Sequence, residues 1–572
     1  MRLPHKLLTT LIVVASCISN GTAQDATSPK LHHLLTNLQP DQYVDVIVRH
    51  RDVPNRADML RYARYGTHKA SLDIIQSSVF RVKATDLEAL ASDPNVESVA
   101  PDQPLNATTF TGGPDYGWMT SLDITQMLGK AAYDGTGIGV ALLDSGIQTK
   151  SDLNNASGVS RIVYKANFVT ATGENTTNDA YGHADHVAGI IGGSGADSIN
   201  NKTTYWIRGI APNVNLIALR VLDSKGQGQD SYVIAAIQAA IKLKPTYNIR
   251  VLNLSLGRPV NGPCATDPLC QAVQQAWQAG IVVVVAAGND GRNNTAGTSG
   301  YGTISAPGNS PYAITVGASN TVGSLSKTDD KITSYSSKGP SLIDHVVKPD
   351  LVAPGNRILS IRNENSYLAT SYPQNGVPVT VYENTNSGSI GNYYQMSGTS
   401  MAAPMVSGAA ALLIQKNPSL TPDQVKAILM KTAVKFAPTT SQATDPTTGV
   451  TYTSQNDVFT VGAGSLDVGA ALASADVAPG NALSPTVSFS TATGQATMVF
   501  PAGSTWGSSA LWGSTAVWGS NAVSGSSALW GSSALWGSQT AAGFSALWGS
   551  SALWGSGTPA SEALTLALAG EQ

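Results

Sequence analysis

Three polar residues of this 572-residue chain stand where an acyl transfer could be run. Ser400 lies in Gly398-Thr399-Ser400-Met401-Ala402-Ala403-Pro404, and the run from there to Ile414 is almost wholly small and apolar, about one buried helix long, with Pro404 expected within the first turn. Backbone N–H groups at the mouth of such a helix lack intrahelical partners, so an anion forming beside the serine oxygen would be stabilised. Alone, the serine reads equally well as a cap on an Ala-rich core helix. Asp144 ends the apolar segment Leu142-Leu143-Asp144, and His183 lies in Tyr181-Gly182-His183-Ala184-Asp185-His186, a loop entering a small-residue helix. A hydroxyl is a weak nucleophile that needs a base, and the base needs a carboxylate to fix its tautomer and stabilise its cation. Together the three residue types supply that set.

The elements that must position them follow from apolar periodicity. From about Gly135, buried β-branched runs (Ile138–Leu143, Leu216–Leu222, Val251–Ser255, Ile281–Ala286 and Ala313–Gly317) alternate with helical segments such as Ser231–Lys244 and Leu269–Ala279. That alternation predicts an α/β domain with a mainly parallel sheet covered by helices on both faces. Ligands then meet the carboxyl ends of the strands, where Asp144 falls. The helix Asp423–Lys431 and the segment Val461–Val468 should close the domain. Ahead of it, Tyr43–Val48, Val79–Val82 and Asn95–Ala100 read as three strands and Asp86–Leu90 as a helical turn, a small α+β unit.

The remaining stretches are of other kinds. Arg2 and Lys6 precede the apolar run Leu7–Val14, and Gly21-Thr22-Ala23 offers small residues for cleavage, so residues 1–23 read as an export signal. The competing detail is Val14-Ala15-Ser16-Cys17, which resembles a lipobox and would leave a lipid anchor on Cys17. No stretch is long enough to predict a transmembrane span. Charged residues make up 12% of the chain and the net charge is -3, which excludes the basic footprint of a nucleic-acid binder. Cys264 and Cys270 bracket a short loop that an exported protein can close as a disulfide, two unrelated buried thiols being the other reading. Residues 476–503 read as a linker or small extension. In 504–557, Trp506, Trp512, Trp518, Trp530, Trp536, Trp548 and Trp554 keep a spacing of six, with Ser524 and Ala542 in the vacant slots. An even period puts every Trp on one face of an extended strand, so stacked strands and an unstructured tail that attaches through its tryptophans both remain open. Residues 558–572 are a tail.

The Asp144 strand, Gly182-His183 through Gly189 and Gly398 through Pro404, in that order, resemble the three signatures of the subtilisin-like serine proteases, the subtilase family. Gly209-Ile210-Ala211-Pro212, Ser255-Leu256-Gly257 and Ala286-Ala287-Gly288-Asn289 extend the likeness over roughly residues 110–475. The resemblance implies a secreted serine endopeptidase acting on polypeptides with Asp144, His183 and Ser400 as triad and Asn289 as oxyanion-hole amide. It also implies a substrate pocket walled by Ser255, Leu256, Gly257, Ala286, Ala287 and Gly288 and floored by Ser305; with no acidic residue there, a neutral or apolar side chain is expected in it. Residues 24–108 then resemble an inhibitory propeptide, cut somewhere near Leu105 to Phe110, and 109–475 the protease domain. Catalysis would need no cofactor, while Asp152 resembles one ligand of a structural Ca²⁺. The sequence departs from the family's Gly-His-Gly-Thr-His at Ala184 and Asp185, and a carboxylate that close could raise the His183 pKa. A different class of function, an impaired subtilase scaffold whose Trp repeat binds a surface or partner, would leave the same signatures in place.

Overall fold

The computed structural model describes residues 29–107 and 133–505, apart from positions 37, 171–172, 296, 325–326, 328, 437–439, 446–447 and 491–494. The expected export signal, Cys17 and the Trp repeat beyond Thr505 lie outside the described residues.

Continuous runs of Val, Ile, Leu and Ala leave no polar face to solvent, and such strands are stable only inside a sheet covered on both sides. The sheet so formed has eight strands in the order β14 (Lys331–Ile332), β13 (Ile314–Asn320), β12 (Val282–Ala286), β10 (Ile249–Leu254), β6 (Gly139–Asp144), β8 (Asn215–Arg220) and β7 (Ile162–Asn167), with β15 (Leu351–Pro354) also pairing β13. Every pairing in it is parallel except β13 with β14. Helix α3 (Ala184–Gly192) follows the His183 loop, and α4 (Asp230–Tyr247) and α5 (Pro268–Gln278) cross between strands. Helix α6 (Thr399–Lys416) is buried from Thr399 to Ile414 and packs against α3, β10, β12, β13 and β15. A helix with polar groups on no face can only sit in the middle of a domain.

The N-terminal unit folds as a four-stranded antiparallel sheet in the order β2 (Gly66–Leu72), β3 (Ser77–Lys83), β1 (Tyr43–His50), β4 (Val96–Pro101). Helix α1 (Arg56–Tyr62) connects β1 to β2, and α2 (Leu87–Ala91) lies between β3 and β4 in the chain. Strand β2, Gly-Thr-His-Lys-Ala-Ser-Leu, escaped the sequence reading because only Leu72 of it is buried. It packs on α4, the turn after it packs on α5, and Ile74 N–H donates to Gln238 Oε1 at 3.3 Å. Beyond β4 the chain runs into β5 (Pro104–Ala107), which inserts between β9 (Gln227–Gln229) and β11 (Leu256–Gly257), antiparallel to both.

At the other end, residues 479–490 and 495–499 are docked on the domain. Thr486–Ser490 pairs with Gln495–Val499 as a hairpin, Val347 N–H donates to Pro485 O at 2.8 Å, and Val487 and Met498 join a core with Phe459 and Val461. Ser484 Oγ donates to Asp350 at 2.7 Å and accepts from Lys426 Nζ at 2.7 Å. It thereby completes a fully buried Lys348–Asp350–Lys426 cluster in which burial pulls the Lys348 pKa down to about 7. Among the described residues no helix is long and apolar enough to cross a membrane.

Candidate active site

Three neighbouring strands bring the polar residues to one edge. Asp144 ends β6, Ser255 directly follows β10, and Asn289 stands three residues past β12. His183 occupies the N-cap of α3, and its Nδ1 lies 2.8 and 2.9 Å from the two carboxylate oxygens of Asp144. A carboxylate only accepts, so Nδ1 carries the proton and Nε2 the lone pair. That Nε2 is buried with no hydrogen-bond partner.

Ser400 is the second residue of α6, and Gly398 before it has φ +146°, a conformation open to glycine at little cost, which turns the chain from the preceding strand into the helix. Ser400 Oγ donates to the Ser255 carbonyl at 3.0 Å, and Ser255 Oγ donates back to the Ser400 carbonyl at 3.0 Å. The sequence predicts Pro404 within the first turn. The helix begins at Thr399, so Pro404 lies past it, and the N–H that would have bonded the Ser400 carbonyl is missing. Ser255 Oγ supplies the replacement.

Asn289 is oriented by Thr399. Its Oδ1 accepts from Thr399 N–H and Thr399 Oγ1, both at 3.1 Å, which leaves its buried Nδ2 without a partner. Gly288, with φ +105°, sets the turn, and a side chain there would strike Ser305 Oγ at 2.4 Å. The Cβ of Ser305 would lie 2.9 Å from a side chain at Gly257, so Ser305 sits between the Ser255–Gly257 and Ala286–Gly288 segments. Leu256, Ala286 and Ala287 are buried beside it.

Asp185 forms no hydrogen bond to His183. Its Oδ1 accepts from Gln148 N–H at 2.8 Å, and its carboxyl is buried beside Asp179, a residue the sequence reading did not single out. His186 is not poised as a base: Nε2 lies 3.1 and 3.0 Å from the carbonyls of Ile358 and Tyr394, and burial lowers its pKa to about 3. Cys264 and Cys270 are joined in a disulfide. Among the described residues, no calcium ligand set gathers around Asp152. Asp152 is buried, one oxygen accepts from Asp197 N–H at 2.7 Å, the other from Tyr393 O–H at 2.8 Å, and no cluster of three or more His, Cys, Asp or Glu able to hold a metal occurs among the described residues.

Chemically, an imidazole with an unused buried lone pair, a serine hydroxyl at a helix start and an unused amide N–H₂ are gathered at the ends of adjacent strands. Such a set can add a hydroxyl to a carbonyl and stabilise the resulting oxyanion. Comparison with known proteins agrees with that chemistry. Residues 135–464 match Peptidase S8, the Subtilase family. Serine protease AprX of Bacillus subtilis (strain 168) is 38% identical over 300 residues, covering 52% of this chain and 61% of AprX, so the chain spans less than two thirds of that relative. The alkaline protease of Alkalihalobacillus alcalophilus is 34% identical over 358 residues, covering 62% of this chain and 73% of the relative. The crystal structure of fervidolysin from Fervidobacterium pennivorans, described as a keratinolytic enzyme related to subtilisin, superposes with a TM-score of 0.55. It covers 77% of this chain and 62% of its own at 21% identity, a likeness of fold.

Proposed function

The chain belongs to the Subtilase family, which takes in more than half of its length, and from that premise we propose that it is a serine endopeptidase, exported and matured by removal of its N-terminal unit. The observation that carries this reading is the pair of buried unpartnered groups: His183 Nε2, on an imidazole held by Asp144, and Asn289 Nδ2, on an amide held by Thr399 next to Ser400. In acylation, His183 Nε2 takes the proton of Ser400 as its oxygen adds to the scissile carbonyl, and then gives it to the leaving amine. Asp144 holds the tautomer and stabilises the imidazolium. Asn289 Nδ2 and the Ser400 N–H at the helix mouth face the charge that forms on the carbonyl oxygen. A water, deprotonated by the same Nε2, releases the acyl group.

The substrate lies as an extended strand where β5 lies here. Ala107 pairs with Leu256 and Asn106 with Gly257, so the N-terminal unit fills the track next to the site and blocks it. The cut that frees the track falls just beyond Ala107. Ser255–Gly257, Ala286–Gly288 and Ser305 are uncharged and hold a neutral or apolar side chain before the scissile bond.

A fluorophosphonate probe tests the reading directly. Matured wild type is expected to take up one equivalent and Ser400→Ala none. A correctly folded, matured wild type that stays unlabelled and cleaves no peptide would refute it.

A further inference from the structure

Two carboxyl groups that the triad chemistry does not use lie buried behind it. Asp179 Oδ1 accepts from Ser145 Oγ and from Gly182 N–H, each at 2.7 Å, and its Oδ2 accepts from Asp185 N–H at 2.8 Å. Ser145 in turn donates its N–H to Asp144 Oδ1 at 2.7 Å. One carboxylate thus ties the end of β6, which carries Asp144, to Gly182 and Asp185 on either side of His183, the N-cap of α3. The side chain of Asp185 reaches the same place with far less support: Oδ1 has the single donor Gln148 N–H, and Oδ2 is buried with no partner.

Two negative charges in one dry site repel, and an ion with an unsatisfied buried oxygen is costly, a cost that protonation relieves. Asp179, with three donors at the start of a helix, is the better place for the charge. Asp185 is the better place for the proton, and burial and then the charge of Asp179 push its pKa well above the ordinary carboxyl range.

We propose that Asp179 and Asp185 form a buried positioning pair carrying one negative charge and one proton, and that loss of this proton sets the alkaline limit of activity by loosening the Asp144–His183 alignment. The proposal rests on the protease reading above. Among the described residues, the charged and titratable groups facing the pair are Lys150 from the loop after β6, Lys165 from β7, Asp144 at the end of β6, and Tyr181 before α3. The lysines favour ionisation of Asp185 and the acids oppose it. Lys150 is also engaged by Glu364. The pair exists because this chain has Asp where the family resemblance leads one to expect Thr.

The test is the pH dependence of kcat and KM for the matured enzyme on a neutral peptide, in wild type, Asp185→Asn, Asp185→Thr and Asp179→Asn. Asparagine at 185 keeps an acceptor for Gln148 and cannot ionise. Both 185 variants are expected to move the alkaline limb of kcat upward by at least about one pH unit, and Asp179→Asn to lower kcat about 10- to 100-fold with KM unchanged, as misplacement of a base does. A limb that stays put in both 185 variants overturns the proposal, as does a 179 variant that changes KM alone. A second measurement is independent of activity. In the Ser400→Ala chain the raised Asp185 pKa contributes stability that is lost as pH rises through it, so Tm should fall with alkaline pH more steeply than in the same chain carrying Asp185→Asn. Parallel Tm curves overturn the pair. A wild type inert towards peptides, with Tm curves that diverge, would instead remove the protease reading and leave the pair standing.

Discussion

Ser255 holds Ser400 from both sides, accepting its hydroxyl and donating to its carbonyl, and the second bond exists only because Pro404 removes the helical donor. Ser255→Ala should therefore remove a buried hydrogen bond to the Ser400 carbonyl and cost about 0.5–1.5 kcal/mol. Urea unfolding of Ser400→Ala with and without the substitution measures this, and unchanged midpoints would contradict it. Asn289 acts on the transition state instead. Its Oδ1 is fixed by Thr399, so Asn289→Ala should lower kcat about 100- to 1000-fold while KM changes little, and a purely raised KM would speak against the oxyanion role. Asp144, His183 and Ser400 are legible as candidates because each reactive type stands beside a buried apolar or small-residue run, while Asn289 is legible only through the family resemblance. Asp179 is not legible, since a lone Asp four residues before a His reads as a solvated turn until the fold buries it. The second bond of Ser255 was equally hidden, because it depends on where α6 begins.

At the scale of elements, the N-terminal unit meets the domain through a charge as well as through β5. Asp102, between β4 and β5, accepts from Ser231 N–H at 2.7 Å and from Ser231 Oγ at 2.5 Å at the start of α4. Burial nevertheless pushes its pKa from 3.8 up to about 6. If the N-terminal unit is cut as proposed, its reassociation takes up a proton at Asp102. The stabilisation is complete below the ordinary Asp value and is lost as pH rises through about 6. Across that window the affinity should change by up to about 100-fold, roughly tenfold for each pH unit. His32 of the same unit works in the opposite sense, since burial lowers its pKa and favours the neutral form. Comparing the inhibition constant of the cut unit with that of Asp102→Asn between about pH 4 and 7 isolates Asp102. Wild type should weaken relative to the variant as pH rises, and a constant ratio would refute the assignment. The buried strands of the large sheet were plain in the sequence because their apolar runs are continuous. Strand β2 and the hairpin of 486–490 with 495–499 were not, because β2 turns its polar residues to solvent and residues 479–490 and 495–499 are rich in Ser and Thr, and their places are set by docking.

At the scale of the molecule, the site depends on contacts between distant parts of the chain. Asp144 and His183 are 39 residues apart, Asn289 and Thr399 are 110, and every strand between β7 and β12 in the sheet pairs in parallel, which requires long crossovers before any hydrogen bond forms. Such topologies fold slowly, since the entropy of closing long loops comes before the contacts that offset it. The N-terminal unit is different. Its four antiparallel strands are close in sequence and enclose a core of Val46, Val48, Phe80, Val82, Leu87, Leu90 and Val96, so it can form early. It then offers a surface to α4 and α5, the helices that lie against β10 and β12, with Ile74, Ile75 and Asp102 as contacts. Holding both helices on one platform should shorten the search for the β6–β10–β12 pairing. In a Ser400→Ala background, removing the residues up to Ala107 should slow refolding from guanidinium by more than about 10-fold, and adding the unit as a separate polypeptide should restore the rate. Equal refolding rates with and without the unit would show that the large sheet finds its register unaided, and would confine the unit's role to blocking the track beside Ser400.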